Sequence, residues 1–242
     1  MPRTVDPGRT AQRREAITLA AARLFAEQGF EPTTVADIAR AAGLSAASVF
    51  YYFPDKRAVF RAVFERDLPL SHERIARFAD AKHPAEAIVE LVTELAADAR
   101  DPSAAGLLVE LLRQVGRDPE LVEVVTRTEA VVRDGLAGLI ARGIADGTID
   151  AALDPNEAAG WIQTVVDAVY LGAAPDRDAT PALRRTVARY LAPAPEPGPD
   201  QAGPDRPKPA EKGPNKTSQD ETAPNEAKPS KTRRSHAPHE AR

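Results

Sequence analysis

The chain has 242 residues, of which 43% are hydrophobic and 28% charged, and it contains no cysteine. That length is enough for one large domain or two small ones, the balance is that of a globular chain, and the missing thiols exclude disulfides, thiolate zinc centres and cysteine nucleophiles together. Charge interrupts every apolar run within a few residues, so no membrane span is expected. No apolar leader run is present near Met1 and no secretory signal is expected, which leaves a cytoplasmic, helical protein as the expectation.

Charge is distributed unevenly. Residues 1–66 hold ten Lys and Arg against seven Asp and Glu, a net of +3, whereas residues 67–192 hold 13 against 21, a net of −8. A small basic head on an acidic body points the head, and not the body, at a polyanion. Residues 193–242 carry a net of +1, with 11 prolines, no aromatic residue and alanine as the one hydrophobic type. Such a stretch buries too little apolar surface to offset the entropy of ordering it, so a disordered tail is expected; its end, with Lys231, Arg233 and Arg234, is weakly basic.

Between about residues 10 and 191 the apolar period is helical and nowhere alternating, which predicts an all-α fold of nine helices. Ile17, Ala20, Ala21, Leu24 and Phe25 share one face of the first, closed by Gly29. Thr34 and Asp37 form a capping box that opens a short second helix, burying Val35, Ile38 and Ala39 and stopping at Gly43. Ser45 caps a third, with Val49 and Phe53 facing the core, and Pro54 ends it. Asp55 caps a fourth with Val59, Phe60, Val63 and Phe64 inside, expected to stop at a hinge of Leu68, Pro69 and Leu70. Five more follow at about 85–100, 103–116, 119–144, 155–173 and 181–191.

Two short helices joined by Ala42, Gly43, Leu44 and Ser45 have the spacing of a helix-turn-helix, whose second helix projects and fits the major groove of B-DNA. The segment TTVADIARAAGLSAASVFYYFPDK from Thr33 to Lys56, with Leu24, Phe25, Gly29 and Phe30 ahead of it, resembles the DNA-binding domain of the tetracycline-repressor (TetR) family over about residues 10–66. The remaining body resembles the family in helix count and length. The stretch from Gly143 to Asp150, ahead of a helix at Pro155, resembles the link before the family's dimerisation helices. The resemblance implies a nine-helix fold and a ligand-responsive repressor that binds a palindromic double-stranded DNA operator as a homodimer. The implied division is an N-terminal arm and DNA-binding domain at 1–66, an effector and dimerisation domain at 67–192, and the tail at 193–242. A DNA-binding architectural protein without an effector is the alternative.

Thr34 and Ser45 sit at helix N-termini, which favour phosphate as well as ordinary capping. Lys56 is a cation in a helix first turn, against the macrodipole, and phosphate binding would account for it. Tyr51 and Tyr52 match family positions that touch DNA, while Phe50 stands where the family usually has tyrosine and lacks the hydroxyl. Ala46, Ala47 and Ser48 at the reading end offer no bidentate base contact, only thymine-methyl and hydroxyl contacts. An N-terminal arm with Arg3, Arg9, Arg13 and Arg14 is therefore expected to add specificity, entering the adjacent minor groove or lying along phosphates.

For the dimer, Ile162, Val165, Val166 and Val169, with Leu183 and Val187 on the last helix, form apolar stripes suited to a four-helix bundle across a twofold axis. Polar or aromatic residues on otherwise apolar helices, namely Glu110, Arg113, Gln114, Trp161, Asp167 and Tyr170, are the candidate pocket residues for a small hydrophobic effector. No cofactor and no metal are expected: there is no HExxH, phosphate loop or GxGxxG, and the histidines are scattered, so enzyme chemistry lacks its parts.

Overall fold

The computed structural model describes residues 6–174 and 176–194; Arg3 and the tail expected at 193–242, apart from its first two residues, lie outside them. Among the described residues the chain is all-α, with no strand. Helix α1 (Pro7–Gln28) starts where Asp6 accepts from the Gly8 N–H at 3.0 Å and Pro7 occupies the first position, whose missing N–H has no intrahelical partner to lose. Helices α2 (Val35–Ala41) and α3 (Ala46–Tyr52) are seven residues each. Between them Gly43 adopts φ 66°, a left-handed conformation that a side chain would strain. That corner sets α3 across α2.

Helix α4 (Lys56–Glu65) is capped by Asp55, which accepts from Ala58 N at 2.8 Å. The expected stop at Pro69 is corrected: after a break at Arg66 the chain continues as α5 (Asp67–Phe78), with Pro69 as the third residue of the new helix. The ring of Pro69 would clash with the Glu65 carbonyl in a continuous helix, which is why the rod breaks four residues earlier and resumes. Counted as one broken rod, α4 and α5 bring the α-helices among the described residues to the nine expected. The rest are α6 (Pro84–Leu95), α7 (Ala104–Gln114), α8 (Pro119–Ala145), α9 (Pro155–Leu171) and α10 (Thr180–Leu191), with single 3-10 turns at Ala97–Arg100 and Val115–Arg117.

Two apolar cores organise these helices. One gathers Ile88, Leu91, Leu136, Ile140, Ile162, Val187 and Leu191 from α6, α8, α9 and α10. The other is the head's, built on Phe25, Phe30, Phe60 and Phe64, whose ring centroids lie 5.0–5.6 Å apart, mostly edge to face. Helix α8 joins the two: Leu121 and Val124 belong to the head's core and Val132 to Ile140 to the other. At 27 residues it is roughly 40 Å long, enough to reach both.

The apolar stripe expected to form the dimer interface is inside the protomer. Ile162, Val166, Leu183 and Val187 are 1–5% exposed, and Val165 and Val169 pack partly buried against the same core. This corrects the expectation for Ile162, Val166, Leu183 and Val187; Val165 and Val169 are half-buried at the edge of the same face. The periodicity identified a buried face, and what buries it is the chain's own α6 and α8.

Candidate nucleic-acid interface

The projecting corner is assembled by local hydrogen bonds. Thr34 Oγ1 accepts from Asp37 N at 3.1 Å and Asp37 Oδ2 accepts from Thr34 N at 3.1 Å, the reciprocal capping box. The Thr34 hydroxyl, which donates to Asp37 Oδ2 at 2.5 Å, and then the Thr34 N–H hold the Asp37 carboxyl below its ordinary range, with Arg40 assisting. Ser45 Oγ accepts from Ser48 N at 3.1 Å and lies 2.9 Å from Ser48 Oγ. Val49 and Phe53 are 1% and 2% exposed and hold α3 to the head's core. On the opposite side Ala47, Phe50 and Tyr51 face solvent, Phe50 and Tyr51 at 53% and 69% exposure. Ala46 and Ser48 are half-buried beside them. Tyr52, also half-buried, packs on the head's core and meets the Tyr51 ring edge to face at 5.0 Å.

Lys56 has an internal reason to be where it is. Its ammonium donates to the carbonyls of Phe30 at 2.6 Å and Glu31 at 3.1 Å, and lies 4.2 Å from the centroid of the Phe30 ring. The cation in the first turn of α4 thus ties the turn after α1 to the start of α4, and phosphate is not needed to account for it. Two of its three N–H donors are used in this way.

Of the two roles expected of the arm, the minor-groove one is corrected for Arg9, Arg13 and Arg14. Arg9, Arg13 and Arg14 belong to α1, a regular helix from its first turn, and cannot enter a groove as an extended strand. Arg9 and Arg13 are one turn apart, exposed and half-buried respectively. Arg14, though exposed, lies back against α3: its Nη1 donates to the Tyr52 carbonyl at 2.7 Å and its guanidinium lies 4.2 Å from the Phe53 ring centroid. A cation at the carbonyl end of α3 suits that helix's dipole and fixes α3 against α1.

The expected pocket residues separate into three places. Glu110 and Gln114 are 4% and 3% exposed, hydrogen-bonded to each other, and lie at the seam between α7 and α1. Arg113, its side chain 67% exposed, and Trp161, 53% exposed, are on the surface. These four are corrected, since a polar residue on an apolar helix also arises where two helices bury a hydrogen-bonded pair.

Asp167 and Tyr170 do come together, with three residues that sequence reasoning missed: Asp67, Arg74 and Asp98. Tyr170 Oη donates to the Leu95 carbonyl at 2.7 Å, and Arg74 pairs with Asp98 at 2.9 Å. Burial is the main cause that holds the Tyr170 phenol above its usual value, with the neighbouring carboxylates adding to it. Burial and then Glu129 raise Asp167. Asp67 is reached by solvent, yet protein crowds it enough that desolvation pushes its carboxyl up to about 6. No spacing rule in sequence joins residues 67, 98 and 170, and the hinge expected at Leu68, Pro69 and Leu70 falls inside the first turn of α5.

The raised Asp67 value has a consequence for stability. Between about 6 and the ordinary 3.8 the native state holds a proton that the unfolded chain does not, so stability falls as pH rises through that window. Asp67→Asn is expected to stabilise the protein at pH 7.5 by up to about 1 kcal/mol after allowance for solvent screening. The gain should shrink as pH drops through 6 and vanish below 3.8. Thermal melts of both proteins across that range test this, and an equal gain at acid and neutral pH would contradict it.

Residues 17–63 match the family model for bacterial regulatory proteins of the tetR family, and residues 84–194 match the C-terminal model of BetI-type transcriptional repressors. The transcriptional regulator RutR of Escherichia coli K12 is 30% identical over 145 residues, 60% of this chain and 67% of that one. The transcriptional repressor AcnR of Corynebacterium efficiens is 27% identical over 154 residues, 64% of this chain and 78% of that one. The crystal structure of the regulator FadR from Bacillus subtilis in complex with stearoyl-CoA superposes with a TM-score of 0.62 at 22% identity, over 74% of this chain and 97% of that one. No described helix is long and apolar enough to cross a membrane.

Proposed function

Because this chain belongs to the TetR family of bacterial transcriptional regulators, we propose that it is a ligand-responsive repressor that grips a palindromic operator as a homodimer. The chain is a DNA-binding regulator, and its relatives are regulators, not enzymes. The observation that carries the finer reading is the open face of α3. Phe50 and Tyr51 each lie one helical turn from Ala47 on a helix held rigidly from behind, and no described residue covers them. An apolar, aromatic surface on so short a helix fits a groove. Ala46, Ala47 and Phe50 meet thymine methyls and sugars, Ser48 a base edge, and the Tyr51 hydroxyl a phosphate. Thr34, Ser45, Tyr52, Arg9, Arg13 and the third N–H of Lys56 line the phosphates on either side.

In this reading residues 1–66 read DNA, residues 67–192 bind the effector and the second protomer, residues 193–242 are a separate tail, and the protein works on the nucleoid in the cytoplasm. The twofold contact is made by the side of α9 opposite its buried stripe: Trp161, Thr164, Ala168 and Leu171, spaced three and four apart and all exposed. The effector sits by Asp167 and Tyr170 with Asp67, Arg74 and Asp98, as a small hydrophobic molecule bearing one polar group. The stearoyl-CoA bound by the FadR neighbour makes acyl chains the first class to test. To move the repressor from mostly bound to mostly free, the effector must prefer the released shape by about 5.5 kcal/mol.

Selection of bound sequences from random DNA tests the reading. The expected product is two inverted half-sites whose centres lie roughly 34–36 Å apart. Arg13→Gln is expected to weaken all sequences alike and to lower the log–log salt slope by about 1. A pool that enriches nothing, at any salt, overturns the proposal.

A further inference from the structure

The reading head does not stop at α4. Gly106 and Glu110, one turn apart on α7, lie directly against the C-terminal end of α1. A Cβ on Gly106 would stand 2.4 Å from the Ala26 carbonyl oxygen, and one on Gly29 would stand 3.3 Å from Glu110 Oε2. Gln114 Nε2 donates to Glu110 Oε1 at 2.8 Å, so this buried carboxylate is held in place from its own helix. Around the pair, Leu107 and Leu111 of α7 and Val115 of the turn after it pack into the same core as Phe25 and Phe60, joined by Leu121 and Val124 of α8. Farther along, Arg61 of α4 binds Asp118 at 2.8 Å and Glu120 at 3.1 Å, with the Arg61 and Asp118 side chains only 15% and 7% exposed. Helices α5, α6, α9 and α10 contribute no residue to this core.

We infer that Gly106 and Glu110 are positioning residues for DNA reading: α7 and the first turns of α8 travel with the head as one body, and the close contact at Gly106 sets where each recognition helix stands relative to its twin. The inference rests on the dimeric repressor reading above. Its physical basis is the kind of atom that Gly106 meets. A side chain can swing away from an added methyl, but the backbone of α1 cannot, so the two helices must separate. A close-packed core transmits that displacement and does not absorb it. In a dimer both heads shift, and their spacing no longer matches two successive grooves.

The test is Gly106→Ala in the full chain, probed with the duplex that the unaltered protein selects from random DNA. Binding to that duplex is expected to weaken by about ten-fold or more, while binding to random duplex, which is mostly a phosphate term, changes by no more than about three-fold. The dimer mass should be unchanged, and a fresh selection by the variant should return a different spacer between half-sites. Gly138→Ala is the control, since a Cβ there meets nothing within 4 Å.

If Gly106→Ala does not fold, spin labels keep the inference testable, because the chain has no native cysteine. Labels at Arg23→Cys and Leu112→Cys, in protomers diluted with unlabelled chain, should keep one separation with and without the selected DNA. Labels at Arg23→Cys and Glu86→Cys should shift. A change in the first pair, or wild-type affinity and spacing in Gly106→Ala, overturns the inference and leaves the repressor reading standing. A wild-type protein that selects no sequence overturns both.

Discussion

Replacing Phe60 by alanine is expected to lower the stability of the protein by about 3–5 kcal/mol. Phe60 is 1% exposed, and its ring is the hub of the head's aromatic cluster, 5.0 Å from Phe25 and 5.2 Å from both Phe30 and Phe64. Truncation removes the transfer free energy of the phenyl group and leaves a cavity ringed by three other rings, which relax poorly because each is anchored on a different turn. It also removes edge-to-face contacts that contribute about 0.5–1.5 kcal/mol each beyond area. Against a total of about 5–15 kcal/mol for a typical domain, such a loss leaves little margin. The head should then melt before the core of α6, α9 and α10, as an added transition in urea. Phe60→Leu, which refills much of the volume, should cost less than half as much. A cost under about 1 kcal/mol for Phe60→Ala would mean that the cluster is not the head's core.

What could be read in advance, and what could not, follows from the range of the interactions. Thr34 with Asp37, Ser45 with Ser48, and Gly43 all act within four residues, so caps and corner were legible from spacing alone. Pro69 was legible as a helix breaker, but a proline breaks the turn before it and tolerates the turn after it, so α5 was lost. The stripe through Ile162 and Val166 was legible as apolar. Periodicity reports which face avoids water and is silent on what covers it, so a core face was read as a protomer interface. Glu110 and Gln114 were legible as misfits on an apolar helix, and their partner, the end of α1, is some eighty residues away. Arg14 looked like one more cation of a basic arm until Tyr52 and Phe53 claimed it. In the candidate site the projecting α3 was therefore foreseen, and the group of Asp67, Arg74, Asp98, Asp167 and Tyr170 was only half foreseen.

The outward face of α9 yields the second large effect. Trp161 and Leu171 are 53% and 54% exposed on a helix whose other side is fully used, so each holds a large apolar surface against water in the lone protomer. Contact with a twofold mate would bury four such side chains near the axis, each contributing about 1.5–3 kcal/mol on full burial. Trp161→Arg with Leu171→Arg replaces that gain with four charges facing their own copies. The dimer should weaken by more than about 1,000-fold, since a loss of about 4 kcal/mol corresponds to that factor. Sedimentation should then find a folded monomer at micromolar concentration, whose melting temperature no longer rises with protein concentration as a dimer's does. Affinity for the selected operator should fall to that of a single half-site, while random-duplex binding per head persists. Ile162→Ala should do the reverse: 1% exposed in the core, it should cost about 2–5 kcal/mol of stability and leave the oligomeric state alone. A double-arginine variant that stays dimeric, or an Ile162→Ala variant that dissociates while folded, would return the interface to the buried stripe.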